Sequence, residues 1–283
     1  MKPSVSIGYF DLFTPEKAVC LLREGGFAYT EFAVDHSRML MARGADTEKT
    51  GLQFGRFLDE QGMQAPQGHL EFEHEFCSHE AVEYLKREIT MFQAIGVKHA
   101  VFHISGGKHL PEAERTEVQL RHMRELLEFV AGTDFTFCLE NLMSNPATND
   151  ADGLMNWITL LGGKNLGICL DTGHLHYSRL GLKTTTQTHI EFIHKAGSYL
   201  KATHIQSNDG SGDLHLAPYT GRVNPIDWPG IVAALQEIGY NELFNLELPG
   251  ETGTYPPLPI LQRKLVYLKD LADLMLDPFP PIQ

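Results

Sequence analysis

Eight short apolar segments recur along the chain, and a segment with helical periodicity follows each of them. The strand-like segments are residues 5–9, 28–34, 63–70, 98–104, 135–141, 166–171, 200–206 and 243–248. The helical segments are residues 15–24, 47–61, 78–95, 111–131, 153–161, 186–199, 228–238 and 258–276. This alternation is typical of parallel sheets, and eight repeats predict a (β/α)₈ TIM barrel. An open doubly wound sheet is the alternative, but no GxGxxG motif follows the first strand-like segment.

The length of the chain fits one barrel of this kind. Its 283 residues contain no Pro/Gly/Ser-rich linker and no low-complexity tract, so we expect a single domain over residues 1–283 with a tail at 276–283. No apolar run approaches the ~18 residues of a membrane span, and the first residues lack the layout of a signal peptide. We therefore expect a cytoplasmic protein with no membrane partner. The four cysteines form no CxxC pair, which favours reduced core thiols.

Six consecutive strand-like segments end in an ionisable side chain of a kind that binds metal ions. In chain order these are His69, His103, Glu140, Asp171, His204 and Glu247. Subtracting successive numbers gives intervals of 34, 37, 31, 33 and 43 residues, close to the roughly 30 or more residues of one βα unit. Each group therefore falls at the same height in successive units. In a TIM barrel that height is the C-terminal face, where active sites lie.

The residue types indicate the chemistry of this face. Glu140, Asp171, His204 and Glu247 form a mostly oxygen ligand set, which suits Mn²⁺, Mg²⁺ or Co²⁺ and is open to Zn²⁺. A carboxylate at the end of a buried strand is costly unless its charge is compensated, and a cation would compensate it. The alternative for Asp171 is that its side chain caps the following helix.

Further ligands are candidates at lower priority. His69 and His103 are either additional ligands or core histidines whose ring nitrogens form hydrogen bonds within the protein. The loop after the seventh strand-like segment carries Asp213 and His215 two residues apart, a spacing that could chelate an ion from an extended loop. Asp209, in the same loop, lies in an ordinary turn sequence.

The overall charge argues against a nucleic-acid partner. The formal net charge is −13, and we see no Lys/Arg cluster in the strand-end loops that would neutralise phosphates. A small-molecule substrate is the expected partner. The sequence is compatible with a homo-oligomer but does not specify the oligomeric state.

Five motifs, four of them at predicted strand ends and one at the start of a predicted helix, resemble the sugar isomerase/epimerase superfamily, the xylose-isomerase-like barrels. They are Leu-Glu-Asn at 139–141, Asp-Thr-Gly-His at 171–174, His-Ile-Gln-Ser-Asn-Asp at 204–209, Asp-Trp at 227–228 and Leu-Glu-Leu at 246–248. The resemblance covers residues 5 to about 251. That superfamily includes ketose 3-epimerases, hydroxypyruvate isomerases and, more distantly, apurinic-site endonucleases. In the epimerases the matching Glu, Asp, His and Glu hold one divalent ion, which implies that role for Glu140, Asp171, His204 and Glu247.

The endonuclease branch uses a larger ligand set that holds three zinc ions. The resemblance carries that set to His69, His103, Glu140, Asp171, His174, His204, Asp213, His215 and Glu247. Every one of these positions has a suitable residue. The chain departs from the family at 219–225, where Tyr-Thr-Gly-Arg-Val-Asn-Pro replaces the frequent Gly-Glu-Gly before Ile-Asp-Trp.

These observations predict a divalent-metal-dependent isomerase or epimerase of a sugar, sugar phosphate or hydroxy-carbonyl compound. Glu140 and Glu247 would transfer the proton through a metal-stabilised enediolate. His103, His174 and Arg222 are the candidate substrate contacts. The cofactor is then one divalent ion (Mn, Co, Mg or Zn). Two alternatives stay open: a phosphodiesterase with up to three Zn ions acting on abasic DNA, and a non-catalytic sugar-binding barrel.

Overall fold

Eight parallel strands form the centre of the molecule. The computed structural model describes residues 1–73, 76–143, 145–220, 224–249 and 256–277. The strands are β1 (Lys2–Ser6), β2 (Tyr29–Phe32), β3 (Gln64–His69), β4 (His99–Phe102), β5 (Thr136–Glu140), β6 (Leu166–Asp171), β7 (Leu200–His204) and β8 (Leu243–Leu246). They pair in sequence order, and β1 also pairs with β8, with Val5 beside Leu246.

The barrel closes between β7 and β8. These two strands make fewer ladder contacts than the others, through a parallel bridge between Ile205 and Leu246. The Ile205 amide donates to the Asn245 carbonyl at 2.7 Å, and the Thr203 hydroxyl donates to the Leu243 carbonyl at 2.7 Å. The predicted (β/α)₈ TIM barrel is confirmed.

Helices surround the strands. Those of the described residues are α1 (Pro15–Glu24), α2 (Val34–Met41), α3 (Thr47–Glu60), α4 (His79–Ile95), α5 (Glu112–Phe129), α6 (Ala151–Leu161), α7 (Thr172–Leu180), α8 (His189–Ala196), α9 (Trp228–Glu237) and α10 (Leu258–Leu276). The predicted bounds of β6, α1 and α10 match those observed. The tail predicted from residue 276 begins instead at Asp277, and residues 278–283 lie outside the described part.

The first strand lies earlier than predicted. It spans Lys2–Ser6, and the 3₁₀ turn Ile7–Phe10 follows directly. The Ser6 hydroxyl accepts a hydrogen bond from the Gly8 amide at 3.3 Å, which caps this turn and ends the strand. The apolar run therefore continues into the core as a turn, not as a strand.

Two helices were absent from the predicted pattern, α2 and α7. The second begins at the end of β6, where the Asp171 carboxylate accepts a hydrogen bond from the His174 amide at 2.6 Å. Asp171 is thus a helix cap, as the alternative interpretation held, and it also belongs to the group of candidate ligands described below. One side chain serves both arrangements.

Small side chains fill the barrel below the predicted site. Val101, Cys138, Cys169 and Ala202 form a fully buried cluster, each two residues before a predicted ligand. Because side chains of a strand alternate between its faces, each lies on the same face as that ligand. All four cysteines lie in the described part of the chain and none forms a disulfide, and Cys138 and Cys169 are buried in the core as predicted. Among the described residues, no helix combines the length and the apolarity that membrane crossing would need.

Glu88 of α4 makes the stability of the fold depend on pH. It is fully buried, its carboxylate accepts hydrogen bonds from the Ser37 hydroxyl and the Glu71 amide, and burial raises its pKa to about 7. Between pH 4.5 and 7 the folded chain keeps this proton while the unfolded chain loses it. Stability therefore falls as the pH rises through that window. The difference in pKa corresponds to about 3 kcal/mol.

We expect Glu88→Gln to remove this loss, so that the variant gains stability relative to the natural chain between pH 5 and pH 8. Urea unfolding at several pH values measures the difference. Glu128→Gln, at an exposed site on α5, should keep the slope of the natural chain. Equal slopes for the natural chain and Glu88→Gln would contradict the assignment.

Candidate active site

The structure brings all nine predicted ligand residues to the C-terminal end of the barrel. His69, Glu140, Asp171 and His204 end their strands, whereas His103 and Glu247 follow theirs by one residue. His174 lies in the first turn of α7, and Asp213 and His215 lie in the loop after β7. Ligand atoms lie within 4.8 Å of one another in three groups: His69, His103 and Glu140; Glu140, Asp171, His204 and Glu247; and His174, Asp213 and His215.

The central group collects three carboxylates around one imidazole nitrogen. His204 Nδ1 lies 3.0 Å from Glu140 Oε1, 3.3 Å from Glu247 Oε2 and 3.9 Å from Asp171 Oδ2. Glu140, Asp171 and His204 are at most 2% exposed. Concentrating three acidic groups in a buried site is unfavourable without a compensating cation.

An unsatisfied atom marks the same place. Glu247 Oε2 is buried and accepts no hydrogen bond, although it faces the other ligands. Such an atom is expected where an ion belongs. Three carboxylates and one imidazole are suitable donors for Mn²⁺, Co²⁺, Mg²⁺ or Zn²⁺. The residues present therefore fit a divalent ion.

The environments of the two glutamates push their pKa values apart. Burial raises the pKa of Glu247 to about 7. Burial opposes ionisation of Glu140 too, but His204 and His103 hold the pKa of that carboxyl well below its ordinary value. A pair with separated pKa values is typical of sites where one group accepts a proton and the other donates one.

Glu140 also joins the first flanking group through its second oxygen. Its Oε2 lies 2.5 Å from His103 Nε2 and 3.5 Å from His69 Nε2. The ring of Phe72 packs against both imidazoles, with centroids 5.3 Å from His69 and 4.9 Å from His103. The two histidines are therefore fixed at the wall of the site by aromatic packing as well as by the carboxylate.

The third group joins α7 to the loop after β7. Asp213 Oδ1 lies 3.5 Å from His174 Nε2 and 3.1 Å from His215 Nε2. Burial opposes ionisation, but hydrogen bonds from both histidines hold the pKa of Asp213 far below its ordinary value. His215 has a φ of 45°, a left-handed conformation that is strained for a histidine and is often found at functional sites.

Asp171 is oriented by neighbours that are not ligands. Gln206 donates to both of its carboxylate oxygens, at 3.2 and 3.0 Å, and the Asn141 side chain accepts from its amide at 2.7 Å. A Cβ atom at Gly173 would lie 2.2 Å from Gln206 Oε1. The glycine of Asp-Thr-Gly-His is therefore required by the close approach of Gln206.

Sequence reasoning missed Glu31, which lies in the same layer. It is 1% exposed, on β2, and its Oε2 is 2.8 Å from His204 Nε2. The sequence contains one indication of its role: Glu31 precedes His69 by 38 residues (69 minus 31), which is the spacing of one more βα unit. The predicted strand, 28–34, extends three residues beyond Glu31, whereas the observed strand β2 ends at Phe32, one residue after it.

A cavity of about 620 Å³ opens above these groups. Besides the ligands, its described wall includes Asp11, Asp35, Arg38, Glu73 and Met143. The last predicted substrate contact, Arg222, lies outside the described residues.

Arg38 is the only lysine or arginine on the described wall of the cavity. Its guanidinium binds Glu71 through two hydrogen bonds, at 2.5 and 2.7 Å, and contacts Glu73 at 2.8 Å and Asp35 at 3.3 Å. Its charge is therefore compensated before any ligand enters.

The chain shares this architecture with known proteins. A family model described as a xylose isomerase-like TIM barrel matches residues 20–271. The uncharacterized protein y4fM of Sinorhizobium fredii is 26% identical over 260 residues, covering 81% of this chain and 79% of the relative.

Solved structures agree in fold at low identity. A D-psicose 3-epimerase solved in the presence of D-fructose has a TM-score of 0.76 at 14% identity, covering 98% of this chain and 99% of that chain. The D-psicose 3-epimerase of Clostridium cellulolyticum H10, solved with D-tagatose, has a TM-score of 0.75 at 18% identity, with the same coverage. Identities this low establish the fold alone. The family match spans most of the barrel, so this chain belongs to the xylose isomerase-like TIM barrel family.

Proposed function

We propose that this protein is a divalent-metal-dependent isomerase or epimerase of a small sugar or related hydroxy-carbonyl compound. The observation that carries the proposal is the convergence of Glu140 and Glu247, which both line a cavity, on one nitrogen of His204, at 3.0 and 3.3 Å. A cavity of this size suits a small molecule. The names of the two matched epimerase structures support the same class of reaction.

The cation would be held by Glu140, Asp171, His204 and Glu247. When bound, a divalent ion supplies Lewis-acid stabilisation of the negative charge that develops on a carbonyl oxygen. The two glutamates carry the proton. One carboxylate removes the proton from the carbon next to the carbonyl, and the other, in its acid form, returns a proton. Return to the same carbon gives an epimer, and return to the neighbouring carbon gives the isomer.

The remaining residues hold the substrate and limit the access of water. His174 and His103 line the cavity beside Glu140 and are the candidate contacts to substrate oxygens. The ring of Phe72 covers His69 and His103 on the side of the cavity. Excluding water there strengthens the hydrogen bonds between protein and substrate.

The described wall of the cavity favours a neutral sugar over a phosphorylated one. Arg38 is already bound to three carboxylates, those of Asp35, Glu71 and Glu73, which together outweigh its single positive charge, and Asp11 is a further acidic residue of the wall. A phosphate placed there would meet repulsion, whereas sugar hydroxyls can donate hydrogen bonds to carboxylates.

Proton exchange with solvent tests the proposal. In D₂O, the sugars named with the matched structures, D-psicose, D-fructose and D-tagatose, are suitable first probes. We expect recovered sugar to carry deuterium on the carbon next to the carbonyl. The terminally phosphorylated forms should show a kcat/KM at least about tenfold lower. Binding of these sugars without any exchange of deuterium would favour the non-catalytic sugar-binding alternative.

A second candidate is a trinuclear zinc phosphodiesterase acting on abasic DNA. The presence of three ligand groups, two of which share Glu140, favours it, because each could hold one ion. The compensated charge of Arg38 and the net charge of −13 weigh against a DNA substrate. Metal analysis of the purified chain separates the two proposals: about one ion per chain supports the sugar enzyme, and three zinc ions support the phosphodiesterase.

A further inference from the structure

Glu31 reaches across the barrel interior to the far side of the His204 ring. It lies on β2, three strands away from β7 around the barrel, and its Oε2 is 2.8 Å from His204 Nε2. Both side chains are at most 1% exposed. The opposite ring nitrogen, Nδ1, is the one that faces the three carboxylates of the central group.

We propose that Glu31 is a positioning residue for His204, and that it fixes the proton of this imidazole on Nε2. The inference rests on the metal centre proposed above. An ionised carboxylate only accepts hydrogen bonds, so His204 Nε2–H must donate to it. The lone pair of Nδ1 is then directed at the place between the carboxylates. A carboxylate behind a ligand histidine orients the ring and raises its basicity as a ligand.

Glu31 is itself held in place from a neighbouring strand. It is the ladder partner of Gln67 on β3, and the Gln67 amide donates to the same Oε2 at 2.6 Å. Gln67 also donates to the carbonyl of Thr203, one residue before His204, at 3.3 Å. The unit Glu31–Gln67 therefore contacts both the ring of His204 and the backbone beside it.

Glu31 is not itself one of the grouped ligands. Its oxygens belong to none of the three sets of ligand atoms that lie within 4.8 Å of one another. The ring of His69 stacks on His204, with centroids 5.7 Å apart and planes at 14°, which limits tilting of the ring but does not select a tautomer. The selection of Nδ1 depends on the hydrogen bond at Nε2.

The test compares metal binding by the metal-free chain and by two variants, Glu31→Leu and Glu31→Gln. Leucine removes the acceptor and should weaken Co²⁺ and Mn²⁺ affinity by roughly 10- to 100-fold in titration calorimetry. Glutamine keeps an acceptor oxygen but loses the charge, so the metal affinity of Glu31→Gln should lie between that of the natural chain and that of Glu31→Leu. The control is Glu88→Gln, which removes another fully buried carboxylate and should bind metal as the natural chain does.

A spectroscopic measurement separates positioning from a general effect on the fold. In the Zn²⁺-loaded natural chain, ¹⁵N shifts of His204 should report Nε2–H and a ligated Nδ1, and in Glu31→Leu this single form should be lost. Affinities and ¹⁵N shifts unchanged in both variants overturn the inference while the proposed function stands. A natural chain that binds no divalent ion overturns both.

Discussion

Turnover should fall by about 10³-fold in Glu247→Gln and in Glu140→Gln, because each amide occupies the space of the carboxylate but cannot take up or return a proton. The loss should appear in kcat more than in KM, since proton transfer belongs to the transition state. Glu140 ends β5 and Glu247 directly follows β8, and the strands keep their buried apolar side chains in both variants. The fold should therefore persist, which circular dichroism and thermal unfolding can establish.

The same experiment needs a matched control and a metal measurement. Glu88→Gln removes a buried charge on α4 and should keep kcat within about threefold, because Glu88 belongs to none of the ligand groups. The metal content of each variant must be determined, since both glutamates are also candidate ligands. Full turnover in either glutamine variant, with an ion still bound, would exclude that glutamate as an acid or base.

Removal of the metal should have the second large effect. After treatment with a chelator, we expect the loss of nearly all turnover, because the carbonyl oxygen then has no Lewis acid to stabilise its developing charge. Adding Mn²⁺ or Co²⁺ should restore it. The melting temperature should also fall, since three carboxylates converge in the emptied site and a ligand present at 100 times its Kd stabilises the fold by about 2.7 kcal/mol.

Titration with each ion, followed by activity, thermal unfolding and metal analysis, measures this effect. Mg²⁺, which keeps its water ligands, serves as a comparison for Mn²⁺. Undiminished turnover in protein shown to be free of metal would contradict the proposed Lewis-acid step.

Periodicity predicted the barrel well because apolar segments at or near the strands alternate regularly with amphipathic helices. It failed for α2 and α7, which are short and lie directly after strands. The segment Thr-Gly-His of α7 has low helix propensity. Its helix is stabilised by the Asp171 cap, which is a local interaction, and by burial against the barrel, which is a tertiary effect.

The candidate ligands could be predicted from the sequence for a different reason. In a parallel barrel the strand ends share one face, so acidic and imidazole side chains at regular intervals of sequence must lie near each other. The four-residue central group matches the ligand set predicted from the sequence, but the sharing of Glu140 between two groups could not be predicted, because it depends on which side chains cross the barrel. Glu140 contacts His103 through one oxygen and His204 through the other, and no spacing in the chain indicates this. The single domain over residues 1–283, the cytoplasmic location and the oligomeric state stay predictions.

The sequence by itself determined the (β/α)₈ architecture and eight of the nine ligand candidates, since local periodicity and residue type indicate both, and the family resemblance added His174. Only the tertiary structure decided that Glu140 belongs to two of the three groups and that Arg38 is compensated by acidic neighbours. It also placed Glu31 behind His204. The physical reason is that barrel closure brings together residues as far apart as Glu31 and His204, 173 positions in sequence, and their contact depends on strand register and side-chain direction.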